Sequence, residues 1–189
     1  GIIGGGAAGL TTASGSAQLG ARTLLVEKEE LLGGDCLHYG CVPSKTLIHT
    51  AHLYHQLTNY EKYGLPPVVR NPVDFTHVAA RIQEVISRIQ HHDSVERFSG
   101  LGVDVRFGQA RFVDEHTIDL DGKRRSAARW LIATGSSPSR PPVPGLDEVS
   151  VLTNREIFSI KELPSKLVVL GGGPIAIEMA QAFSRLGAE

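Results

Sequence analysis

Two cysteines, Cys36 and Cys41, are the only thiols in the 189-residue chain, and four residues separate them. They lie in the glycine-rich stretch GGDCLHYGCVPSK, Gly33 to Lys45. Two thiols are too few for a secreted disulfide scaffold of this length and too few for a four-cysteine zinc site. Their spacing inside a glycine-rich loop points to a pair with redox chemistry of its own. Pro43 suits the first turn of a helix from Ser44 to about Leu57, so Cys41 falls at or just before a helix N-terminus, where sulfur gains reactivity. Two buried thiols, or zinc held by Cys36, His38 and Cys41, are the competing readings. The zinc reading lacks a fourth local ligand.

His49, His52 and His55 recur every third residue along the same helix. Steps of three turn the side chain by about 60°, so the outer two diverge by about 120° and one site could hold two of them at most. The stripe reads as an exposed or interface-facing polar face.

A glycine loop lies on either side of the cysteine pair. Near the N-terminus, GGGAAG satisfies G-x-G-x-x-G as Gly4, Gly6 and Gly9. The stub Ile2-Ile3 precedes it, and a helix from Leu10 to about Leu19 follows. Such glycines allow a tight turn, close approach of a pyrophosphate to the backbone, and close packing of helix on strand. Ala7 and Ala8 lie where the helix N-terminus meets phosphate. A buried second strand then ends at Glu27, about 20 residues past the loop, where an acid accepts ribose hydroxyls. Near the C-terminus, Lys166–Leu170 reads as a buried strand entering GGGPIA. There Gly171, Gly173 and Ala176 fill the fingerprint, and Pro174 suits the first helical turn. Two nucleotide grips around one thiol pair suggest electrons passing from a nicotinamide, through a second cofactor, to sulfur.

The remaining elements must hold these parts in place. Asn59 to Pro72 is loop-like. Asp74 can cap a long helix whose Val78, Ile82, Val85, Ile86 and Ile89 share a face, and a further helix restarts at Ser94 and stops near Gly100. Val103–Phe107, Ala110–Val113 and Thr117–Leu120, with Asp121-Gly122 as a hairpin turn, read as a small antiparallel meander. Trp130–Ala133 reads as a buried strand closed by Thr134-Gly135-Ser136, and Pro138, Pro141, Pro142 and Pro144 form a stiff exit. Asn154–Pro164 reads as a connector with a short helix. The expected fold is α/β with a largely parallel sheet. A net charge of −1 gives no nucleic-acid footprint. No apolar run reaches the roughly 18 residues of a membrane span, so a cytoplasmic protein is expected. The chain begins directly in a glycine loop and ends after a helix, which reads as a piece of a longer protein.

Four motifs in order, GGGAAG with Glu27, GGDCLHYGCVPSK, IATGSSP and VVLGGGPIAIE, resemble the pyridine nucleotide–disulfide oxidoreductases over essentially the whole chain. Dihydrolipoyl dehydrogenases and mercuric-reductase-like proteins are nearest in pattern. The resemblance implies an FAD-binding Rossmann-like domain of glutathione-reductase type over 1–145, a connector over 146–164 and the first βα unit of an NAD(P) domain over 165–189. It implies FAD on Gly4, Gly6, Ala7, Ala8 and Gly9, with Glu27 and Lys28 at the adenosine. Further FAD contacts would come from Gly33, Gly34, Asp35 and Cys36, from Lys45 and Ala110, and from Thr134, Gly135 and Ser136. NADH or NADPH would lie on Gly171, Gly173, Pro174, Ile175, Ala176 and Glu178.

By the same resemblance Cys41 is the flavin-proximal thiol, and Cys36 exchanges with substrate, the two cycling through a disulfide. Lys45 sits near the flavin's reactive edge and pairs with Glu178. The implied substrate is a dithiol or disulfide, or a soft metal ion, and the implied assembly a homodimer. Relatives take their acid–base His–Glu pair from the partner's C-terminal domain, so residues 1–189 alone are not expected to turn over. Asp35 stands where many relatives carry threonine, and His38-Tyr39 where Asn-Val is commoner. Ser44 before Lys45 resembles the dihydrolipoyl and mercuric branches. Another two-dinucleotide flavoprotein reductase, or a non-catalytic nucleotide-binding module, is the alternative.

Overall fold

The computed structural model describes residues 1–66 and 71–189. In chain order the elements are β1 (Ile2–Ile3), α1 (Ala7–Gln18), β2 (Thr23–Glu27), α2 (Gly34–His38), α3 (Cys41–Thr58), α4 (Phe75–Gln90) and α5 (Val95–Gly100). They continue as β3 (Val103–Phe107), β4 (Ala110–Phe112), β5 (Thr117–Leu120), β6 (Lys123–Ser126), β7 (Leu131–Ile132) and α6 (Pro174–Leu186). Short 3-10 turns lie at Tyr60–Tyr63, His91–Asp93 and Leu146–Glu148. Residues 67–70 of the loop expected over Asn59–Pro72 lie outside the described residues. The chain divides into two compact units, residues 1–40 with 86–141 and residues 41–85 with 142–189.

The first unit is built on a parallel four-stranded sheet in the order β3-β2-β1-β7. The alternating pattern of Thr23–Glu27 sends Leu25 toward α1, where it joins Ile2, Leu10, Ala13, Leu32, Phe98 and Val103 in one core cluster. Val26 points to the opposite face and packs with Ile118 and Leu120. That second face is covered by a three-stranded antiparallel sheet in the order β4-β5-β6. Period-2 alternation thus gives β2 a helix-covered side and a sheet-covered side.

Three expectations are corrected here. Val103–Phe107 is not part of the meander: it pairs in parallel with β2, Thr23 opposite Val103 through Glu27 opposite Phe107. Val103 belongs to the core on the α1 side, and this burial fixes its sheet. The third meander strand is instead Lys123–Ser126, whose basic sequence carries no strand signal. The strand near Trp130 is not buried, because among the described residues β7 is the edge strand next to β1, with Ile132 65% exposed.

The second unit is helical. Helix α3 packs against α6. Met179, Ala182, Phe183 and Leu186 recur at helical spacing and are buried, as are Leu47 and Ala51 of α3 and Phe75, Val78 and Ile82 of α4. The Phe75 and Phe183 rings stack with centroids 5.9 Å apart. Burying a side chain of that size contributes about 1.5–3 kcal/mol. Asp74 accepts a hydrogen bond from the Thr76 backbone N–H at 3.0 Å, which satisfies one open donor of α4. At the other end of α6, Gly187 takes a left-handed φ of 118° while its N–H and that of Ala188 return to the Phe183 carbonyl at 3.1 and 3.0 Å.

Two expectations fail in this unit. Lys166–Leu170 forms no strand, and Val168 is 86% exposed. Its ladder stops at the pair Leu167 N–H to Glu189 carbonyl and Glu189 N–H to Ser165 carbonyl, too few bonds to define a strand. Asn154–Ser159 is a hydrogen-bonded turn and not a helix; Thr153 donates to the Glu156 carboxylate through both N–H and hydroxyl at 2.7 Å, which closes the turn on itself.

Candidate functional site: two nucleotide loops and a thiol-bearing turn

The first loop is shaped by backbone contact that only glycine allows. Gly4 has φ 109°, and a Cβ there would meet the Ala133 carbonyl oxygen at 2.2 Å and the Thr134 nitrogen at 3.2 Å. At Gly34, φ is 57° and a Cβ would fall 2.6 Å from the Gly6 Cα. The Gly33 N–H donates to the Gly5 carbonyl at 2.8 Å. The segments around Gly4–Gly6, Gly33–Gly34 and Ala133–Thr134 therefore converge at the carboxyl ends of β1 and β7, all within the first unit.

Glu27 anchors this convergence. It is 7% exposed, and its carboxylate accepts the Gly5 N–H at 2.5 Å, the Lys28 N–H at 2.7 Å and the Glu29 N–H at 2.9 Å. A carboxylate offers about four lone-pair sites, so capacity remains for a ribose hydroxyl. The role of Gly5 was hidden in the motif, which names only its neighbours. Lys28 itself is exposed, with Nζ 3.8 Å from the exposed Glu29. Ala110 opens β4 two residues after Gly108, whose N–H bonds to the Glu27 carbonyl at 2.8 Å.

The loop fits a dinucleotide phosphate. Helix α1 begins at Gly6 with no side-chain cap and no acidic residue in its first turn, and Ala7 and Ala8 are exposed. Its leading N–H groups thus point outward with the positive end of the helix dipole behind them. In the second unit α6 repeats the pattern: Gly173 is the N-cap, Pro174 the first helical residue, and neither a side-chain cap nor an acidic first turn is present. Gly171, Gly173 and Ile175 are exposed, and a Cβ on Gly171, Gly172 or Gly173 would meet nothing within 4 Å. Only Gly171, with φ 114°, is held to glycine by conformation.

Cys36 lies in the second turn-forming segment of the first unit. It sits mid-way along α2, half-buried, just after Asp35 in that helix's first turn. Cys41 is the first residue of α3 in the second unit and is exposed. The helix begins three residues before the expected Ser44, because Pro43 in the first turn has no N–H to leave unsatisfied. Lys45, one turn along α3, places Nζ 3.1 and 3.2 Å from the two carboxylate oxygens of Glu178 on α6. The two residues are 133 positions apart in sequence. His49 and His52 are exposed, and the half-buried His55 contacts Asn59 on the next turn.

The first unit thus carries a glycine loop with a buried acid, and the second a glycine loop whose helix is tied by a lysine–glutamate pair to the cysteine-bearing helix. The chain belongs to the pyridine nucleotide-disulphide oxidoreductase family, which matches residues 1–189. Family members use FAD and NAD(P)H. Among its relatives is a mercuric reductase of Bacillus cereus, 35% identical over 188 residues, covering all of this chain and 30% of that protein. A dihydrolipoyl dehydrogenase of Trypanosoma brucei brucei is 36% identical over 205 positions, covering 100% of this chain and 40% of the relative. Among solved structures, the HOCl-induced flavoprotein disulfide reductase RclA from Escherichia coli superposes with a TM-score of 0.84 at 31% identity, over 100% of this chain and 40% of that one. The chain thus spans less than half the length of these relatives. Among the described residues no helix is long and apolar enough to cross a membrane.

Proposed function

We propose that the protein carrying this chain is an FAD-dependent disulfide oxidoreductase that passes electrons between NAD(P)H and the Cys36–Cys41 pair. The observation that carries this reading is the Lys45–Glu178 ion pair at 3.1 Å, which joins the cysteine-bearing helix to the helix of the second nucleotide loop. FAD would supply hydride acceptance and two-electron transfer to sulfur. The loops at Gly4–Gly9 and Gly33–Cys36 would hold its diphosphate, Glu27 and Lys28 its adenosine, and Ala110 and Thr134–Ser136 its remaining edge. Gly171, Gly173, Pro174, Ile175 and Ala176 would hold the nicotinamide nucleotide.

Each protein residue then has a definite task. Cys41 takes or gives electrons on the flavin side. Cys36 exchanges with the substrate sulfur, its thiolate being the attacking form. Lys45 presents a positive charge where negative charge arrives, and Glu178 offsets the cost of holding that ammonium. The substrate class is a dithiol or disulfide, supported by the dihydrolipoyl dehydrogenase relatives. A soft metal ion is the second reading, favoured by the mercuric reductase relatives. We place the protein in the cytoplasm as a homodimer, the absence of a crowded disulfide framework being in keeping with a reducing compartment.

Substitution of Cys36 tests the proposal. In Cys36→Ser, NAD(P)H-dependent reduction of a small disulfide should fall to background while flavin reduction by NAD(P)H persists. Unchanged disulfide turnover would assign the chain to a flavoprotein reductase that works without the pair. A protein purified without flavin absorbance, and unable to take it up, would favour the non-catalytic nucleotide-binding reading.

A further inference from the structure

Helix α2 has only five residues, Gly34–His38, and its N-cap Gly33 provides no side-chain bond. An isolated helix this short is unstable in water, so tertiary contacts must hold it. Leu37 supplies one, with its side chain 2% exposed. A second comes from His38, the helix's last residue. Its Nε2 lies 3.0 Å from the Leu32 carbonyl oxygen, in a part-buried position. Leu32 immediately precedes the N-cap, so this bond ties the end of the turn back to its beginning. Cys36 lies between the two tied ends.

The Leu32 carbonyl is itself fixed. It also accepts the Gln90 side-chain N–H at 3.0 Å, and Gln90 donates again to the Asp93 carbonyl at 3.1 Å. Leu32 is 1% exposed, and the next residue, Gly33, bonds to Gly5 of the first glycine loop at 2.8 Å. The acceptor His38 reaches is thus locked from α4 on one side and from the nucleotide loop on the other. Because a carbonyl can only accept, the bond requires the proton on Nε2.

We propose that His38 is a positioning residue for Cys36: its Nε2–H bond to the Leu32 carbonyl holds the thiol-bearing turn closed and limits access to the Cys36 sulfur. This rests on the reading of Cys36 as the substrate-side thiol, yet it is tested without turnover. In the reduced, FAD-loaded protein, the rate of iodoacetamide alkylation at Cys36 and at Cys41 is read separately by peptide mass spectrometry. Loss of one net hydrogen bond should raise the Cys36 rate roughly fivefold in His38→Ala. Cys41 should stay within about twofold, the scatter expected of a thiol that the bond does not hold.

His38→Gln places an amide N–H where Nε2 stood and should restore the wild-type rate. His38→Asn carries the same group on a stem one bond shorter and should behave as alanine does. The Gln–Asn contrast survives even if His38→Ala fails to fold. Equal acceleration at both thiols, no acceleration at either, or failure of glutamine to differ from asparagine would overturn the proposal. If Cys36 behaves as expected here but proves dispensable for turnover, only the functional reading falls.

Discussion

Glu27→Gln replaces one carboxylate oxygen with an N–H donor at the point where three backbone N–H groups converge. In the wild type those donors lie 2.5, 2.7 and 2.9 Å from the carboxylate, and the side chain is 7% exposed. The amide oxygen of glutamine can serve Lys28 and Glu29 together, as Oε1 does now. Its nitrogen then faces the Gly5 N–H, donor against donor. Leaving that buried donor unpaired costs about 1–3 kcal/mol, and the two surviving bonds weaken from charge-assisted to neutral. Release of a buried negative charge offsets part of this, which leaves a net loss of about 3 kcal/mol. For a chain of this size that lowers the melting midpoint by roughly 6–12 °C. The assay is a thermal melt of the cofactor-stripped protein followed by circular dichroism, with the exposed Glu29→Gln as control. A Glu27→Gln midpoint within about 2 °C of wild type would show that the carboxylate is not what holds the glycine loop.

Further consequences can be checked by similar means. Gly34→Ala puts a methyl 2.6 Å from the Gly6 Cα at a φ of 57°, so it should abolish FAD retention on gel filtration; a variant that keeps its flavin would contradict the close approach of the two loops. Lys45→Met should cost no more than about 1 kcal/mol of stability in urea, because the pair it breaks is 65% and 43% exposed. A larger loss would mean that the ion pair is structural. Burial holds the Asp93 carboxyl above its ordinary value, with Arg97, His38 and His92 pulling it back in part. A raised folded-state value means that the native state binds its proton more tightly than the unfolded chain. The stability it contributes is complete below the ordinary carboxylate range and is lost as pH rises through the folded value. Asp93→Asn should therefore raise the melting midpoint at pH 7 and lose that advantage in acid below about pH 4. An equal gain at both pH values would point to packing instead.

The parts legible in the sequence were those where one residue type has one local job. The tight glycines Gly4 and Gly9, the helix start at Ser94 and the periodic face of α4 all act over a few residues or one turn. The link from Lys45 to Glu178 was legible only through the resemblance, since spacing says nothing about residues 133 apart. What stayed hidden depends on neighbours. Val103–Phe107 looks like a meander strand until Val103 is seen packed with Leu10 and Leu25. Lys166–Leu170 is apolar enough for a buried strand, but burial requires ladder partners, and among the described residues Glu189 alone bonds to the segment's backbone. The bond of His38 stayed hidden because its partner is a backbone carbonyl, which leaves no side-chain signature in the sequence.

The central claim is that Cys41 is the thiol facing the flavin and Cys36 its exchanging partner. Anaerobic dithionite titration of the FAD-loaded protein, read by visible absorbance, tests it most directly. The account predicts a long-wavelength absorbance band at two-electron reduction, present in wild type and absent in Cys41→Ser. A titration with no such band, or a band that survives in Cys41→Ser, would contradict it.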